Sequence, residues 1–392
     1  MAMFAGAFVL IDDWVDDEED AVSDEIETPQ HDEGDDDLIS GSSDEIVHGT
    51  KGDDTMSGSG NAVMLGRAGN DDISLSNSAV GFGGEGDDTI SATQESQGSG
   101  HLGDDTLSST HQATISGGSG SDALTATDNS RAYGGSGDDI LILDDNARGY
   151  GGFGDDTLTA SENARASGDE GDDTLSGEDN SRLMAGDGND ELLLAGAAEG
   201  FGSEGDDLLN VSDNAVGHGG AGNDILNVSD TATGHGGSGN DTLSAELNSG
   251  ATLHGGSDDD DLSGYSGASL HGGSGDDELN LMTSTEVSGS GESLLSGGTG
   301  LDLFNVSHEA AGTTTETAAT IAISDFDINE DMLQVTSEEP ESIDIAQSDD
   351  ASPTEIRMTF ADRPDLVIQL TNGAAITAGD ISFVPPASVM SS

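Results

Sequence analysis

Apolar side chains recur in pairs along most of this chain, and one polar residue separates the two members of each pair. Leu158 and Ala160, for example, alternate with Thr157 and Thr159. An alternation of period two indicates a short strand that turns one face inward. Each pair is followed by a second short segment, such as residues 165–168, in which Ala, Ser or Gly holds the inward positions. Small residues let two strands approach closely, so the pattern predicts a thin, two-sided core.

This two-segment unit repeats. The loop before each apolar pair contains a glycine that we call the marker glycine, and most successive markers follow at one constant spacing, as Gly120, Gly137 and Gly154 do. The period predicts an all-β solenoid with 17-residue coils, each made of strand, turn, strand and glycine-rich loop. The sixteen marker positions, with Asp258 standing in for one glycine, are Gly34, Gly52, Gly69, Gly86, Gly103, Gly120, Gly137, Gly154, Gly171, Gly188, Gly205, Gly222, Gly239, Asp258, Gly275 and Gly300.

Aspartate occupies one position of every repeat. It stands two residues after the marker, and an apolar residue such as Leu124 or Leu141 stands four residues after it. Coils that stack with the usual strand spacing of about 4.8 Å would place these carboxylates in a row. The aspartates are Asp36, Asp54, Asp71, Asp88, Asp105, Asp122, Asp139, Asp156, Asp173, Asp190, Asp207, Asp224, Asp241, Asp260, Asp277 and Asp302. We predict that they are metal ligands.

The loops resemble a known repeat. The segments GGSGDDILI (134–142), GGAGNDILN (219–227) and GGSGNDTLS (236–244) are similar to the nonapeptide GGxGxDxUx of RTX proteins, the hemolysin-type calcium-binding repeat. The resemblance extends over roughly residues 31–305. It implies a parallel β-roll in which Ca²⁺ lies between adjacent loops. Each ion would take aspartate oxygens and backbone carbonyls from two successive coils.

The chemistry of the loop residues agrees with calcium binding. Ca²⁺ takes six to eight oxygen ligands, and glycine permits the positive φ angles that direct several carbonyls to one point. A row of aspartates spaced about 4.8 Å apart repels itself unless cations lie between the members. Sixteen loops leave about fifteen gaps, so the ions would add roughly +30 of charge. The alternative is Asx-turn capping without metal, above all in the loops at Gly34, Asp258 and Gly300.

The repeat departs from the family in its second half. RTX coils usually carry two nonapeptides and bind calcium on both edges, whereas here the second turn reads SDNA, SENA or DDNA and lacks glycine. We therefore expect calcium along one edge only. On the other edge Asn129, Asn146, Asn163 and Asn180 recur once in each coil and would form an asparagine ladder.

Charge limits the partners. The chain has 392 residues, of which 80 are acidic and 8 basic, for a formal charge of −72. Such a charge repels nucleic acid and anionic membranes, and we expect no membrane insertion. There is no cysteine, so disulfides and thiolate metal sites are excluded. We divide the chain into an acidic N-terminal segment (1–30), the β-roll (31–306) and a β-rich C-terminal cap (307–392). The resemblance to RTX proteins implies that this last region carries a type I secretion signal.

Three further rows of outward residues stay open to two interpretations each. Arg131, Arg148, Arg165 and Arg182 balance nearby acids or form a basic stripe for an anionic polysaccharide. Stacked His218, His235, His254 and His271 pack ring on ring or bind a transition metal. Rows of Thr and Ser, such as Thr157 and Thr159, either suit a soluble strand or resemble an ice-binding surface.

The sequence thus predicts a secreted, extracellular, non-enzymatic β-roll that folds on Ca²⁺ outside a Gram-negative cell. Its role would be structural or adhesive, with cell-surface or matrix components as partners. The alternatives are a calcium-binding module of an exoenzyme such as a protease, lipase or alginate epimerase, and an ice-binding solenoid. No G-x-S-x-G or H-E-x-x-H motif occurs in the chain.

Overall fold

The structure, a computed structural model, describes residues 36–247, 249–283, 292–308, 319–337, 339–347, 353–361 and 363–386. The chain winds as a parallel β-solenoid, as predicted, and each regular coil adds one strand to each of two facing sheets. Strands of neighbouring coils pair in parallel, and equivalent positions of successive repeats lie side by side, for instance Leu141 beside Leu158. The predicted segment 1–30 lies outside the described residues.

Sheet A contains the strands that follow the glycine-rich loops, together with two strands of the cap. They are Leu38–Gly41, Thr55–Ser59, Asp72–Ser76, Thr89–Thr93, Thr106–Thr110, Ala123–Ala126, Ile140–Leu143, Thr157–Ala160, Thr174–Gly177, Glu191–Leu194, Leu208–Val211, Ile225–Val228, Thr242–Ala245, Asp261–Tyr265, Glu278–Thr283, Leu303–His308, Met332–Thr336 and Ile381–Val384.

Sheet B contains the strands that lead into the next glycine-rich loop, together with four strands of the cap. They are Ile46–His48, Val63–Ala68, Val80–Glu85, Gln97–Leu102, Thr114–Ser119, Arg131–Ser136, Arg148–Phe153, Arg165–Glu170, Arg182–Asp187, Glu199–Glu204, Val216–Ala221, Thr233–Ser238, Thr252–Ser257, Ser269–Ser274, Ser293–Thr299, Ala319–Ile323, Ser342–Ala346, Thr354–Thr359 and Leu366–Leu370.

The core between the sheets is thin, because large residues of sheet A meet small residues of sheet B. Leu141, Leu143 and Leu158 are completely buried. Opposite them stands Gly149, where a Cβ would lie 2.5 Å from Leu143 Cδ1. A larger side chain at this position would collide with leucine, so the small residues of the second strand follow directly from the close approach of the sheets.

The turn edge, where sheet A passes into sheet B, corrects one expectation. Asp128 and Asn129 have φ of 54° and 64°, and Ser130 N donates to Thr127 O at 3.1 Å, which is a type I′ turn. Among the described residues no side-chain hydrogen bond joins Asn129 to Asn146, so the asparagine ladder is wrong. Asn146 Nδ2 instead donates to Asp145 Oδ1. Asparagine is used here because it tolerates left-handed backbone.

Insertions are absorbed at this same edge. The lengthened marker step before Asp258 adds residues between Ala245 and Thr252, and the still longer step before Gly300 adds them between Thr283 and Ser293. The loop edge keeps its register through both steps. Asp258 adopts φ of 77°, so it does take over the left-handed conformation of the glycine it replaces.

The solenoid continues past residue 306 into the cap. Ala319–Ile323 pairs in parallel with the preceding strand of sheet B, and Met332–Thr336 pairs with Leu303–His308 in sheet A. Leu333 and Val335 fill the inward positions that Phe304 and Val306 hold one coil earlier. Leu366–Leu370 then adds to sheet B in parallel. Next to it in the sheet lies Thr354–Thr359, and beyond that Ser342–Ala346, both in antiparallel pairing. These strands cover the last coil.

The inward leucines should dominate stability. Replacing Leu158 by Ala should lower the free energy of unfolding by about 2–4 kcal/mol, because the neighbouring coils hold the cavity open. Replacing the outward neighbour Thr159 by Ala should change it by less than about 0.5 kcal/mol. Guanidinium unfolding in saturating Ca²⁺ measures both, and equal effects would contradict the inward and outward assignment.

Candidate metal centre

The predicted aspartates form one buried row along the loop edge. From Asp54 to Asp302 each is at most 3% exposed. The N–H of each donates to Oδ1 of the aspartate one coil later, as from Asp139 to Asp156 at 2.8 Å and from Asp156 to Asp173 at 2.8 Å. The bond persists across the irregular steps, from Asp241 to Asp260 at 2.9 Å. We call this set the inner row.

Asp36 is not part of the inner row. It is exposed, and its Oδ1 accepts from Asp53 N at 3.0 Å, whereas Asp37 N donates to Asp54 Oδ1 at 2.8 Å. Asp37 therefore occupies the position that the sequence analysis gave to Asp36. The step after Gly34 is one residue longer than the regular repeat and shifts the count by one, and the predicted inward Leu38 is accordingly 87% exposed.

The second carboxylate oxygen of the inner row has no protein partner. Oδ2 is buried without a hydrogen bond in Asp71, Asp88, Asp105, Asp122, Asp139, Asp156, Asp173, Asp190, Asp207, Asp224, Asp241, Asp260 and Asp277. Each such oxygen forgoes hydration without gaining a hydrogen bond in return, which is costly for an ionised group. A row of buried carboxylate oxygens without hydrogen-bond partners at one edge therefore fits the binding of cations.

The space beside these oxygens is kept open by glycine. A Cβ on Gly151, three residues before its marker, would lie against Asp156 Oδ2 and 2.8 Å from the carbonyl oxygen of Gly168 in the next coil. A Cβ on Gly134 would lie against Asp139 Oδ2 and 2.5 Å from the carbonyl oxygen of Gly151. Carboxylate and carbonyl oxygens are the ligands that Ca²⁺ prefers, at about 2.3–2.6 Å. The donor set and the open space both fit calcium.

Backbone carbonyls would supply most ligands of such an ion. Within the described part of the chain, no three His, Cys, Asp or Glu side chains converge to hold a metal ion. Each gap of the inner row instead combines aspartates of two coils with main-chain oxygens. The sequence signal for the site is therefore the pairing of glycine with aspartate at fixed spacing, rather than a cluster of acids.

A second row of acceptors was not predicted from the sequence. The residue directly after the marker is Asp or Asn in most coils, and its Oδ1 accepts from the backbone of the following coil, as from Asp172 N to Asp155 Oδ1 at 2.9 Å and from Asn189 N to Asp172 Oδ1 at 2.8 Å. We call these exposed residues the outer row. The inner row accepts bonds from the preceding coil, so the two rows connect each pair of coils in opposite directions.

The inner row also extends into the cap. Asp331 Oδ1 accepts from Asp302 N at 3.2 Å, as the next member of the row would. Asp325 accepts from Gly297 N at 3.1 Å and from Ser296 Oγ at 2.6 Å. This coil lacks the glycine loop, so counting marker glycines could not find it.

Burial shifts the titration of the inner row. Loss of solvation raises the pKa of Asp88, Asp139 and Asp156 to about 7, and neighbouring carboxylates raise it further against the lowering effect of the backbone hydrogen bond. The same causes raise the pKa of Asp105 and Asp190 to about 6. Without a cation, these carboxylates would begin to take up protons as the pH falls through about 7 to 6. A divalent ion beside Oδ2 would favour the ionised form instead.

The histidine row is stacked, as the simpler interpretation predicted. The ring centroids of His218, His235, His254 and His271 are 4.6–4.7 Å apart, and Phe201 continues the stack. Burial, followed by the charges of neighbouring histidines, lowers the pKa of His235 to about 4. That ring is therefore neutral at physiological pH.

The arginines also lie in one aligned row. The ion pair formed there differs from the pairing with nearby acids that the sequence suggested. Arg182 forms an ion pair with Glu199 and lies over the Phe201 ring, 4.4 Å from its centroid. In the described residues no ion pair joins Arg131 to Asp128, and that aspartate belongs to the type I′ turn.

The comparisons with known proteins support the calcium interpretation. The family described as RTX calcium-binding nonapeptide repeat (4 copies) matches residues 32–56, 39–73, 81–94, 162–192, 233–247 and 252–269. No curated protein matches the chain significantly. No helix among the described residues is long and apolar enough to cross a membrane.

Replacing Asp156 by Asn should remove about one or two bound Ca²⁺ ions and raise the calcium concentration needed for folding. The amide keeps the acceptor for Asp139 N but loses the charge beside the open space. Asp155→Asn in the outer row is the matched control, because Asn already stands at the equivalent Asn189. Equilibrium dialysis gives the stoichiometry, and equal losses in both variants would argue against the inner row.

Lowering the pH should stabilise the metal-free fold and so partly substitute for calcium binding. The inner row has pKa values raised above the unfolded value of 3.8, to about 6–7, so the metal-free fold binds more protons than the unfolded chain between about pH 4 and 7 and loses stability as pH rises. Lowering the pH from about 7.5 to about 5 in chelator should increase β-structure by circular dichroism. The four stacked histidines have lowered pKa values, so their protonation at low pH opposes folding, but the aspartates outnumber them. A further loss of β-structure on acidification would contradict the assignment.

Proposed function

We propose that this chain, in which RTX calcium-binding repeats occur in several copies, is a secreted calcium-binding β-roll with a structural or adhesive role at the cell surface or in the extracellular matrix. The observation that carries the proposal is the row of buried Oδ2 atoms without partners, beside glycines that keep ion-sized space open. Calcium would bind between successive coils and hold them together.

Folding is then tied to the calcium concentration. The chain has a formal charge of −72, and its inner row concentrates like charges in a buried line. Ions that bind only the folded state add their binding free energy to its stability. A cytosol with little free calcium would leave the chain unfolded and ready for export. We assign export to the type I pathway because RTX proteins typically use it. Outside the cell, abundant Ca²⁺ would drive folding.

The proposed partners follow from the surface of sheet B. Arg131, Arg148 and Arg165 stand in one aligned row and have no ion pair among the described residues. A row of guanidinium groups about 4.8 Å apart suits an anionic polysaccharide of the matrix. The competing interpretation, a module of an exoenzyme, would require turnover of a polysaccharide, peptide or ester that a single substitution abolishes.

Circular dichroism during a calcium titration tests the proposal. We expect a disordered spectrum in chelator and a cooperative change to β-structure on adding Ca²⁺. Mg²⁺ should be far less effective at the same concentration, because it dehydrates reluctantly and demands a tighter octahedral shell. A chain that keeps its β-spectrum after exhaustive chelation at low salt and neutral pH would refute calcium-driven folding.

A further inference from the structure

The outer face of sheet A is almost free of charge over a long stretch. Its outward positions are the third and fifth residues after each marker. In the ten coils from Gly86 to Gly239 these twenty positions include one charged residue, Glu191. We call this surface the neutral strip. Charged residues return outside it, at Asp72 before the strip and at Asp261 and Glu278 after it.

The opposite face provides the contrast. In the same coils, sheet B presents Arg148, Arg165, Glu170, Asp187 and Glu204 outward, so charges of both signs are tolerated on an equivalent strand surface. In a chain with 80 acidic residues, the lack of charge on the neutral strip therefore does not follow from strand geometry.

The neutral strip also exposes large apolar side chains. Ile140 is 52% exposed, Ile142 50%, Leu193 53% and Ile225 48%. Between them stand hydroxyl residues such as Thr157 and Thr159, and the parallel register aligns all of them in straight rows. Ile140 and Ile142 adjoin on one strand, and adjoining exposed apolar side chains mark interaction sites.

We propose that a second copy of this chain packs against the neutral strip, sheet A on sheet A. The strip is about 48 Å long, from ten coils of about 4.8 Å, and about 13 Å wide, from strands of four residues such as Ile140–Leu143. Two such faces bury about 1,200 Å², the lower bound for a specific interface. Packing two sheets face to face at about 10 Å is the standard solution for surfaces of this kind.

The absence of charge on the neutral strip favours a second copy of the chain over a charged partner. The strip offers neither a basic nor an acidic surface to complement, while both its edges are acidic, with Asp138 and Asp155 of the outer row at the loop edge and Asp145 and Glu162 at the turn edge. Two copies therefore attract through the strip and repel along its rim. Salt screens the rim over about 10 Å at about 0.1 M, so dimerisation should strengthen as NaCl is raised. A contact made by ion pairs would weaken instead.

Sedimentation velocity of the full chain in saturating Ca²⁺ tests the proposal. We expect a monomer–dimer equilibrium whose Kd falls with added NaCl. The double variant Ile142→Glu, Ile225→Glu should raise Kd by at least about tenfold. Thr233→Glu, outward on sheet B, is the control and should leave Kd unchanged. Circular dichroism of each variant confirms that outward substitutions leave the fold intact.

Crosslinking gives a second readout. The chain has no cysteine, so Thr174→Cys places one thiol near the middle of the strip, where the two copies meet whether the rods run parallel or antiparallel. A short bismaleimide should link this variant into dimers, and Thr233→Cys should not be linked. A chain that stays monomeric at high salt, or equal crosslinking of both variants, would overturn the proposal, as would equal weakening of the dimer by Thr233→Glu.

Discussion

The structure depends on one constraint, which is that each coil must bury a carboxylate directly above the carboxylate of the coil before it. One oxygen of each inner-row aspartate is satisfied by a backbone N–H, as Asp156 Oδ1 is by Asp139 N. The other oxygen is buried with no partner in the protein along most of the row. Like charges stacked in this way destabilise a metal-free rod, and burial already raises the pKa of Asp105 to about 6 and that of Asp156 to about 7. A divalent cation that prefers oxygen ligands would screen the repulsion and also compensate the carboxylates for the solvation they lose.

The rest of the repeat follows from keeping that row in register. Glycine stands at Gly151 because a Cβ would fill the space beside Asp156 Oδ2. The outer row holds the same coils from the other side, with Asp155 Oδ1 accepting from Asp172 N. Irregular lengths are placed at the turn edge, away from the inner row. The turn edge tolerates insertions, whereas the loop edge keeps its register. This difference supports a functional role for the loop edge.

The sequence predicted the period, the two strands of each coil and nearly the whole inner row, because these features are fixed by a pattern that repeats many times. It failed where the pattern occurs once or is broken. Asp36 was chosen over Asp37 because a lengthened step hides a shift of one position, and Asp331 was overlooked because its loop lacks glycine. The asparagine ladder failed because left-handed backbone at Asn129, rather than side-chain stacking, explains that residue. The outer row was visible as a run of Asp and Asn after the markers, but its bonds between coils depend on the actual register.

The most direct measurement is a crystal structure of the chain grown in calcium, with anomalous scattering used to locate the ions. The account predicts a line of anomalous peaks along the loop edge, spaced about 4.8 Å apart, each between the Oδ2 atoms and glycine carbonyls of successive coils. An ordered roll whose loop edge shows no such peaks, or whose calcium lies along the turn edge instead, would contradict it.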